Sequence, residues 1–196
     1  MLLTLVLTCM SITALGQEGP LPMDSTTHKV SYSGIVDAAG APKESLFDNA
    51  KKWILTQNSK INPYTISYEN ETDGSVIAKG TFILLDEHRN FTTQFTITIS
   101  VKDSRYKYDL SDFILQYKTE AGSHVSGYGM WSHATQTEAE TLEYSLETFY
   151  PSRMHSRKPS IKWYEDIDRK SFELLDKIVQ PILGSLKQTM AGKSDW

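Results

Sequence analysis

The sequence contains a single cysteine among its 196 residues. Cys9 lies in an uncharged, mostly apolar stretch at the N-terminus, Met1 to Leu15. A chain cleaved after this stretch would hold no cysteine, which excludes disulfide cross-links and a cysteine nucleophile. Exported chains without disulfides are ordinary in a bacterial periplasm and less usual among small eukaryotic secreted domains.

The sequence also lacks an excess of charge of one sign. Its 20 Lys and Arg residues stand against 24 Asp and Glu residues, which gives a formal net charge of −4 at pH 7. We expect no nucleic-acid partner, because proteins dedicated to that task are normally basic. The hydrophobic share of 39% is typical of a folded globular chain, and the length predicts one domain, or one domain with an extension.

Long apolar runs are missing except at the start of the chain. The Ala-Leu-Gly sequence at 14–16 has small residues at the spacing that signal peptidase reads, so we expect a signal peptide over residues 1–16 with cleavage before Gln17. This predicts an exported protein, periplasmic or extracellular, with no transmembrane segment in the mature chain. A lipoprotein anchor at Cys9 is not expected, because Thr8 stands where Gly or Ala is usual.

Motifs of enzyme or metal chemistry are scarce. The sequence has no Gly-x-Ser-x-Gly elbow, and Gly192-Lys193-Ser194 lacks the upstream glycine of a phosphate-binding loop. The histidines have no regular ligand spacing, so we expect no metal site and no cofactor. Asp109 and Asp112 are the nearest carboxylate pair. An alternative function is therefore a hydrolase that acts on envelope glycan or peptide, in which one of these carboxylates and a histidine from residues 119–159 are the acid–base groups.

The clearest positive signal is a strict alternation from Phe91 to Val101. Such alternation is typical of a strand that packs on one side and meets water on the other. The apolar positions are Phe91, Phe95, Ile97, Ile99 and Val101, and the polar ones are Thr92, Gln94, Thr96, Thr98 and Ser100.

A two-residue loop at Asp103-Ser104 then predicts a hairpin and its register. The register places apolar residues opposite each other, in the pairs Val101–Tyr106, Ile99–Tyr108 and Ile97–Leu110. The same register pairs polar residues on the other face, namely Ser100 with Lys107, Thr98 with Asp109 and Thr96 with Ser111. After Ser111 the apolar residues change from even-numbered to odd-numbered positions. We therefore also expect a bulge near Ser111-Asp112.

The remaining elements follow from their periodicity. A strand is predicted over residues 29–37, a helix from Pro42 to near Asn58, a second strand over 64–68, and the hairpin strands between 74 and 117. The predicted buried positions of the helix are Leu46, Phe47, Ala50, Trp53 and Ile54.

Three further segments complete the predicted organisation around a core over residues 28–118. Residues 17–27, which include two prolines, are interpreted as a flexible leader. Residues 119–159 are interpreted as irregular or short-stranded, with a short helix over Glu138 to Phe149. Residues 160–191 are predicted to form a C-terminal helix that packs on the core and is kinked or interrupted by Pro181. Its predicted apolar stripe is Ile161, Tyr164, Ile167, Leu174, Leu175, Ile178, Ile182, Leu186 and Met190.

Three stretches carry a resemblance to a known family. They are YSGIVDAAGAPKESLFDNAKKWI, GSVIAKGT and ISVKDSRYKYDLSDF. With them, the chain resembles a secreted bacterial domain of unknown function that has a TATA-box-binding-protein-like (TBP-like) fold. The resemblance implies an α+β fold in the order strand, helix, four strands, helix, with a curved antiparallel sheet and its helices on one face. It carries no catalytic residues, and it does not imply DNA binding, because fold does not fix function.

The polar face of the predicted hairpin is the best candidate for a binding site. The residues of interest are Thr98, Arg105, Lys107, Asp109 and Tyr128. The alternative is that this face is an ordinary solvated sheet surface without a binding function. The leading functional hypothesis is a non-catalytic cell-envelope module that binds a protein partner or a polar ligand. The alternatives are the hydrolase above and a structural subunit that docks through its C-terminal helix.

Overall fold

In the computed structural model, the structure describes residues 21–85, 90–118, 122–126, 133–148, 150 and 159–192. The strands are β1 (Tyr32–Asp37), β2 (Tyr64–Asn70), β3 (Ser75–Leu85), β4 (Asn90–Lys102), β5 (Arg105–Lys118), β6 (Gly122–Ser126), β7 (His133–Thr137) and β8 (Thr141–Ser145). The helices are α1 (Lys43–Gln57), α2 (Pro159–Met190) and a short 3-10 helix (Leu146–Thr148). The predicted order of strand, helix and four strands is confirmed, and three further strands, β6 to β8, precede the predicted C-terminal helix.

One antiparallel six-stranded sheet organises the described chain. Its strands lie in the order β1-β5-β4-β3-β2, and β8 pairs with the far end of β5. Because β4 covers one side of β5, β1 and β8 share the other side, each along part of its length. β6 and β7 form a separate pair. The predicted α+β class with a curved antiparallel sheet is confirmed.

The β4–β5 hairpin has the predicted register. Val101 lies opposite Tyr106, and Thr98 lies opposite Asp109. Ser104 has a φ of 61°, so the second loop residue adopts the left-handed conformation that tight turns require. The apolar face of both strands is buried.

The predicted bulge is confirmed as well. Thr96 pairs with Ser111, but the next pair is Gln94 with Ile114, so Phe95 alone stands opposite two residues of β5. Asp112 lies in this bulge with a φ of 54°. The extra residue restores the inward orientation of the apolar side chains that follow.

Both helices contact the strands on the side where the apolar side chains are buried. All five residues predicted for the inner face of α1 are buried. Trp53 packs edge-on against Tyr64, which packs in the same way against Phe95. The Trp53 indole N–H also donates to Ser185 Oγ of α2 at 2.9 Å. Each large side chain buried here contributes about 1.5–3 kcal/mol of transfer free energy.

The interpretation of residues 17–27 as a flexible leader is wrong for the described part. Leu21 is 1% exposed and belongs to the core. Met23 forms an antiparallel bridge with Val30. The Asp24 carboxylate accepts hydrogen bonds from the backbone N–H groups of Thr26 and Thr27, which holds a tight turn. The two prolines indicate an irregular backbone, but an irregular segment can still bury a side chain, as this one does with the leucine between them.

The predicted helix over Glu138 to Phe149 is also wrong. Residues Thr141–Ser145 form β8, which pairs with β5, and only Leu146–Thr148 is helical, as a single 3-10 turn. Leu142 and Leu146 are four residues apart, which suits a helix. However, the free end of β5 offers backbone hydrogen bonds to a strand, and this tertiary pairing overrides a short local pattern.

The predicted apolar stripe of α2 is correct at Leu175, Leu186 and Met190 and displaced by one residue elsewhere. The side chains of Ile161, Tyr164 and Ile167 lie outside the described residues. Apolar residues occur in adjacent pairs along α2, so two stripes about 100° apart both satisfy a period of 3.6 residues. The buried residues are Phe172, Leu175, Val179, Leu183, Leu186 and Met190, whereas Leu174, Ile178 and Ile182 are partly buried. Helix α2 continues through Pro181 without interruption.

The predicted signal peptide over residues 1–16 lies outside the described residues. Within the described chain, no helix combines the length and the apolar character needed to cross a membrane.

Candidate functional site

The sheet face opposite the helices is the candidate site. We call it the open face and define it by the outward side chains of four strands. They are Ser33, Ile35 and Asp37 of β1, Arg105, Lys107 and Asp109 of β5, Thr96, Thr98, Ser100 and Lys102 of β4, and Ser75, Ile77 and Lys79 of β3. Every one of these side chains is exposed or half-buried. In the described part of the chain, no helix contacts the sheet from this side.

Strand pairing places the predicted site residues in neighbouring rows. Asp109 lies between Ser33 and Thr98, and Ile77 follows Thr98 in the same row. Lys107 occupies the next row, two residues along β5. The structure therefore brings Thr98, Lys107 and Asp109 together, as the hairpin register requires.

Arg105 stands at the end of this surface. It pairs with Lys102 across the hairpin and with Asp37 of β1. Tyr128, the fifth predicted residue, lies outside the described residues. The four described residues share one face, and whether they bind anything stays a prediction.

The charges of the open face are mixed in sign. Lys102, Arg105 and Lys107 lie on the same surface as Asp37 and Asp109. Asp109 Oδ1 accepts a hydrogen bond from Ser31 Oγ at 3.3 Å. A surface with both signs and several hydroxyls suits a polar, hydrogen-bonding ligand or a protein surface better than a polyanion.

A pocket of 480 Å³ lies at the β5 bulge. The Lys29 ammonium contacts Asp112 Oδ1 at 2.5 Å, and this hydrogen bond raises the pKa of Lys29. Glu147 accepts a hydrogen bond from the Val30 N–H at 2.9 Å and another from Ser145 Oγ. The lining residues are Lys29, Lys79, Gln94, Phe95, Thr96, Asp112, Phe113, Ile114, Ser145 and Glu147.

These contacts bear on the hydrolase alternative. Asp112 is engaged by Lys29, and Asp109 is hydrogen-bonded to Ser31, so neither carboxylate stands alone in a water-excluding cleft. His124 and His133 belong to β6 and β7, while His88 and His155 lie outside the described residues. No group of three or more His, Cys, Asp or Glu residues in the described chain is placed to hold a metal ion.

Sequence reasoning missed the Lys29–Asp112 pair. The bulge itself was predictable, but it was not possible to see that the residues before β1 cross beside it. The positive φ of Asp112 turns its side chain out of the strand repeat, but φ is a property of the folded chain, and the sequence carries no signal for this pair.

These features define an α+β protein with a TBP-like fold and an uncovered sheet face. Residues 32–116 match the sequence profile of DUF4468, described as a domain of unknown function with TBP-like fold. This region of the chain is similar to that family. No curated protein matches the chain.

Two solved structures have a similar fold. A TBP-like protein from Parabacteroides distasonis is 16% identical, with a TM-score of 0.51, and the alignment covers 86% of this chain and 97% of that one. A DUF4468 family protein from Bacteroides ovatus is 15% identical, with a TM-score of 0.52 and coverage of 86% and 91%. At this identity the similarity shows the fold alone.

Proposed function

We propose that this protein is an exported, non-catalytic module of a bacterial cell envelope that binds a protein partner or a polar ligand on its open face. The observation that carries the proposal is the row of Ser33, Asp109 and Thr98, whose hydrogen-bonding side chains lie on the sheet with no helix of the described chain over them. The uncharged apolar N-terminus supports export.

The mixed charge of the open face argues against a nucleic-acid partner. A protein that binds DNA through such a sheet needs a basic surface to neutralise phosphates. Here Asp37 and Asp109 lie among the basic residues, and the whole chain carries a net charge of −4.

The structural alternative, docking through the C-terminal helix, has less support. The apolar side of α2 packs into the core of its own chain, through residues that include Leu175 and Leu186. A partner that used this helix would have to bind its exposed side, where charged residues such as Arg169 and Glu173 form an ion pair.

Site-specific photocrosslinking in cells tests the proposal. A photoreactive residue at Lys107 samples the open face, and the same residue at the exposed Asp48 of α1 samples the helix side. We expect a discrete adduct with an envelope component from Lys107 but not from Asp48, and we expect excess unlabelled protein to suppress it. Equal yields from both positions, or cytoplasmic proteins as the only adducts, would contradict the proposal. Turnover of a glycan or peptide that is lost in Asp109→Asn would favour the hydrolase instead.

A further inference from the structure

The outer edge of β1 has a row of backbone groups that no strand of the described chain pairs with. Successive residues of an antiparallel strand direct their N–H and C=O groups to opposite sides. The Ala38 N–H donates to Ser104 O at 2.8 Å, towards β5, whereas the Ser31 N–H donates to Pro22 O at 3.1 Å, away from β5. By this alternation, the backbone groups of Ser33, Ile35 and Asp37 point away from β5, and no hydrogen bond in the described chain reaches them.

The first part of the same edge already accepts an extended segment. Met23 forms an antiparallel bridge with Val30, and the Asp24 N–H donates to Lys29 O at 2.9 Å. The edge is therefore compatible with strand pairing, and the segment around Met23 uses only its beginning.

A cleft of 480 Å³ runs beside this edge, between β1 and α2. Its lining residues are Pro22, Met23, Asp24, Ser25, Ser31, Tyr32, Ser33, Tyr108, Gln180, Leu183 and Lys187. Gly34 is the reason that Tyr108 reaches the cleft, because a Cβ on Gly34 would lie 2.7 Å from the Tyr108 hydroxyl. The Lys187 ammonium lies 5.5 Å from the centre of the Tyr108 ring, and it forms no ion pair with any described residue.

The opposite edge of the sheet is different. The pairing of β2 shifts register between Ile66 and Tyr68, and the Ser67 hydroxyl donates to the Ile77 carbonyl. Bulges of this kind protect a sheet edge from further pairing. β1 contains no bulge, proline or lysine, and its central Ile35 is 72% exposed.

We propose that an extended segment of a partner polypeptide binds as an added antiparallel strand along β1, in the cleft between β1 and α2. Its backbone pairs with Ser33, Ile35 and Asp37. Because side chains alternate along a strand, its residue opposite Gly34 faces α2 and its residue opposite Ile35 faces the open face. An acidic side chain at the first position reaches Lys187, and an apolar one at the second covers Ile35.

A second copy of this chain fits the edge less well. Antiparallel pairing of β1 with itself around Ile35 places Val36 of one copy opposite Gly34 of the other. Lys187 then meets no carboxylate. Charge complementarity therefore favours a foreign acidic segment. This site adjoins the open face of the proposed function at Ile35, but it is built on the backbone edge of the sheet and on the helix beside it.

Selection from a displayed library of random nine-residue peptides, with the full chain as target, tests the proposal. We expect the enriched peptides to alternate apolar and acidic residues. The Ile35→Pro variant removes one edge N–H that β5 does not use, so it should fold and lose about tenfold or more in affinity. Ile35→Thr keeps the N–H and a branched side chain, and it should lose less than about threefold. Lys187→Gln should weaken the binding of acidic peptides, and it should leave unchanged the binding of the same peptides with Gln in place of Glu.

A second readout does not depend on altering the protein. Methylating the one peptide nitrogen that pairs with the Ile35 carbonyl should weaken binding as Ile35→Pro does, whereas methylating its neighbour on the other edge should not. The proposal is overturned if no peptide is enriched, or if both the methylated peptide and the folded Ile35→Pro variant bind normally. It is also overturned if the full chain is a dimer that Ile35→Pro converts to a monomer. Protection of the Ile35 amide from hydrogen exchange in the monomeric chain alone would overturn it too, since residues before Leu21 would then fill the edge.

Discussion

The hydroxyl of Tyr150 bonds to both backbone polar groups of Leu21, across 129 residues of sequence. It accepts a hydrogen bond from the Leu21 N–H at 3.2 Å and donates one to the Leu21 carbonyl at 3.0 Å. Both residues are 1% exposed, so water does not replace these bonds. The pair fastens the segment before β1 to the segment after β8.

The first prediction follows from this pair. Tyr150→Phe leaves a buried N–H and a buried C=O without their partner, and we expect a loss of about 1–3 kcal/mol in the free energy of unfolding. The measurement is urea denaturation of the two proteins. Tyr68→Phe is the matched control, because the Tyr68 ring is 45% exposed and its bond to Asp73 lies at the surface. Equal losses in the two variants would contradict the prediction.

The central hairpin and α1 were predictable because their patterns are local and mutually consistent. One-residue slippage of β4 against β5 would turn Ile97, Ile99 and Val101 to the open face, so alternation fixes the register. The same alternation located Thr98, Lys107 and Asp109 on one face. In α1, five apolar residues at helical spacing admit only one buried side.

The errors came from segments whose structure depends on distant partners. Leu21 is buried because Tyr150 satisfies its backbone, and nothing near Leu21 in the sequence indicates this. β8 forms because the end of β5 is free on one side. The open edge of β1 likewise depends on which strand lies next to it, and sequence pattern alone does not give that order.

A second prediction concerns two glycines with positive φ. Gly74 has a φ of 71°, and a Cβ there would lie 2.5 Å from the Val101 carbonyl oxygen, a backbone atom that cannot move aside alone. Gly40 has a φ of 80° and no atom within 4 Å of the same position. Gly40→Ala should lower the free energy of unfolding by about 1–2 kcal/mol, because alanine is strained at this φ. Gly74→Ala should cost about 1–3 kcal/mol more from the clash. Chemical denaturation measures both, and similar costs would show that the turn relaxes.

A third prediction concerns alkaline pH. Burial, with a smaller effect of Tyr108, raises the pKa of Tyr106 to about 12 from an ordinary value of 10.0. The folded state therefore holds this proton more tightly than the unfolded state, and its contribution to stability is lost as pH rises from about 10 to about 12. Tyr106→Phe should reduce this pH dependence.

The same variant has a second expected effect near neutral pH. The Tyr106 hydroxyl has no hydrogen-bond partner among the described residues, so Tyr106→Phe should change the free energy of unfolding at pH 7 by less than about 1 kcal/mol. Unfolding curves at pH 7, 9, 10 and 11 provide both tests. If the free energy of unfolding falls equally steeply between pH 10 and 11 in Tyr106→Phe and in the unaltered protein, the alkaline loss of stability comes from other groups. One such group is Tyr64, because burial also raises its pKa to about 12.

The fourth prediction distinguishes the two apolar stripes of α2. Leu175 is fully buried, whereas its neighbour Leu174 is only partly buried at the margin of the core. Leu175→Ala should cost about 2–5 kcal/mol, because it leaves a cavity as well as losing buried surface. Leu174→Ala should cost clearly less, since solvent can reach the space it leaves. The two substitutions are chemically identical and adjacent in one helix, so helix propensity cancels in the comparison. If Leu174→Ala were the more damaging, α2 would be rotated by about 100° from the orientation described here, and Lys187 would then no longer be placed at the cleft beside β1.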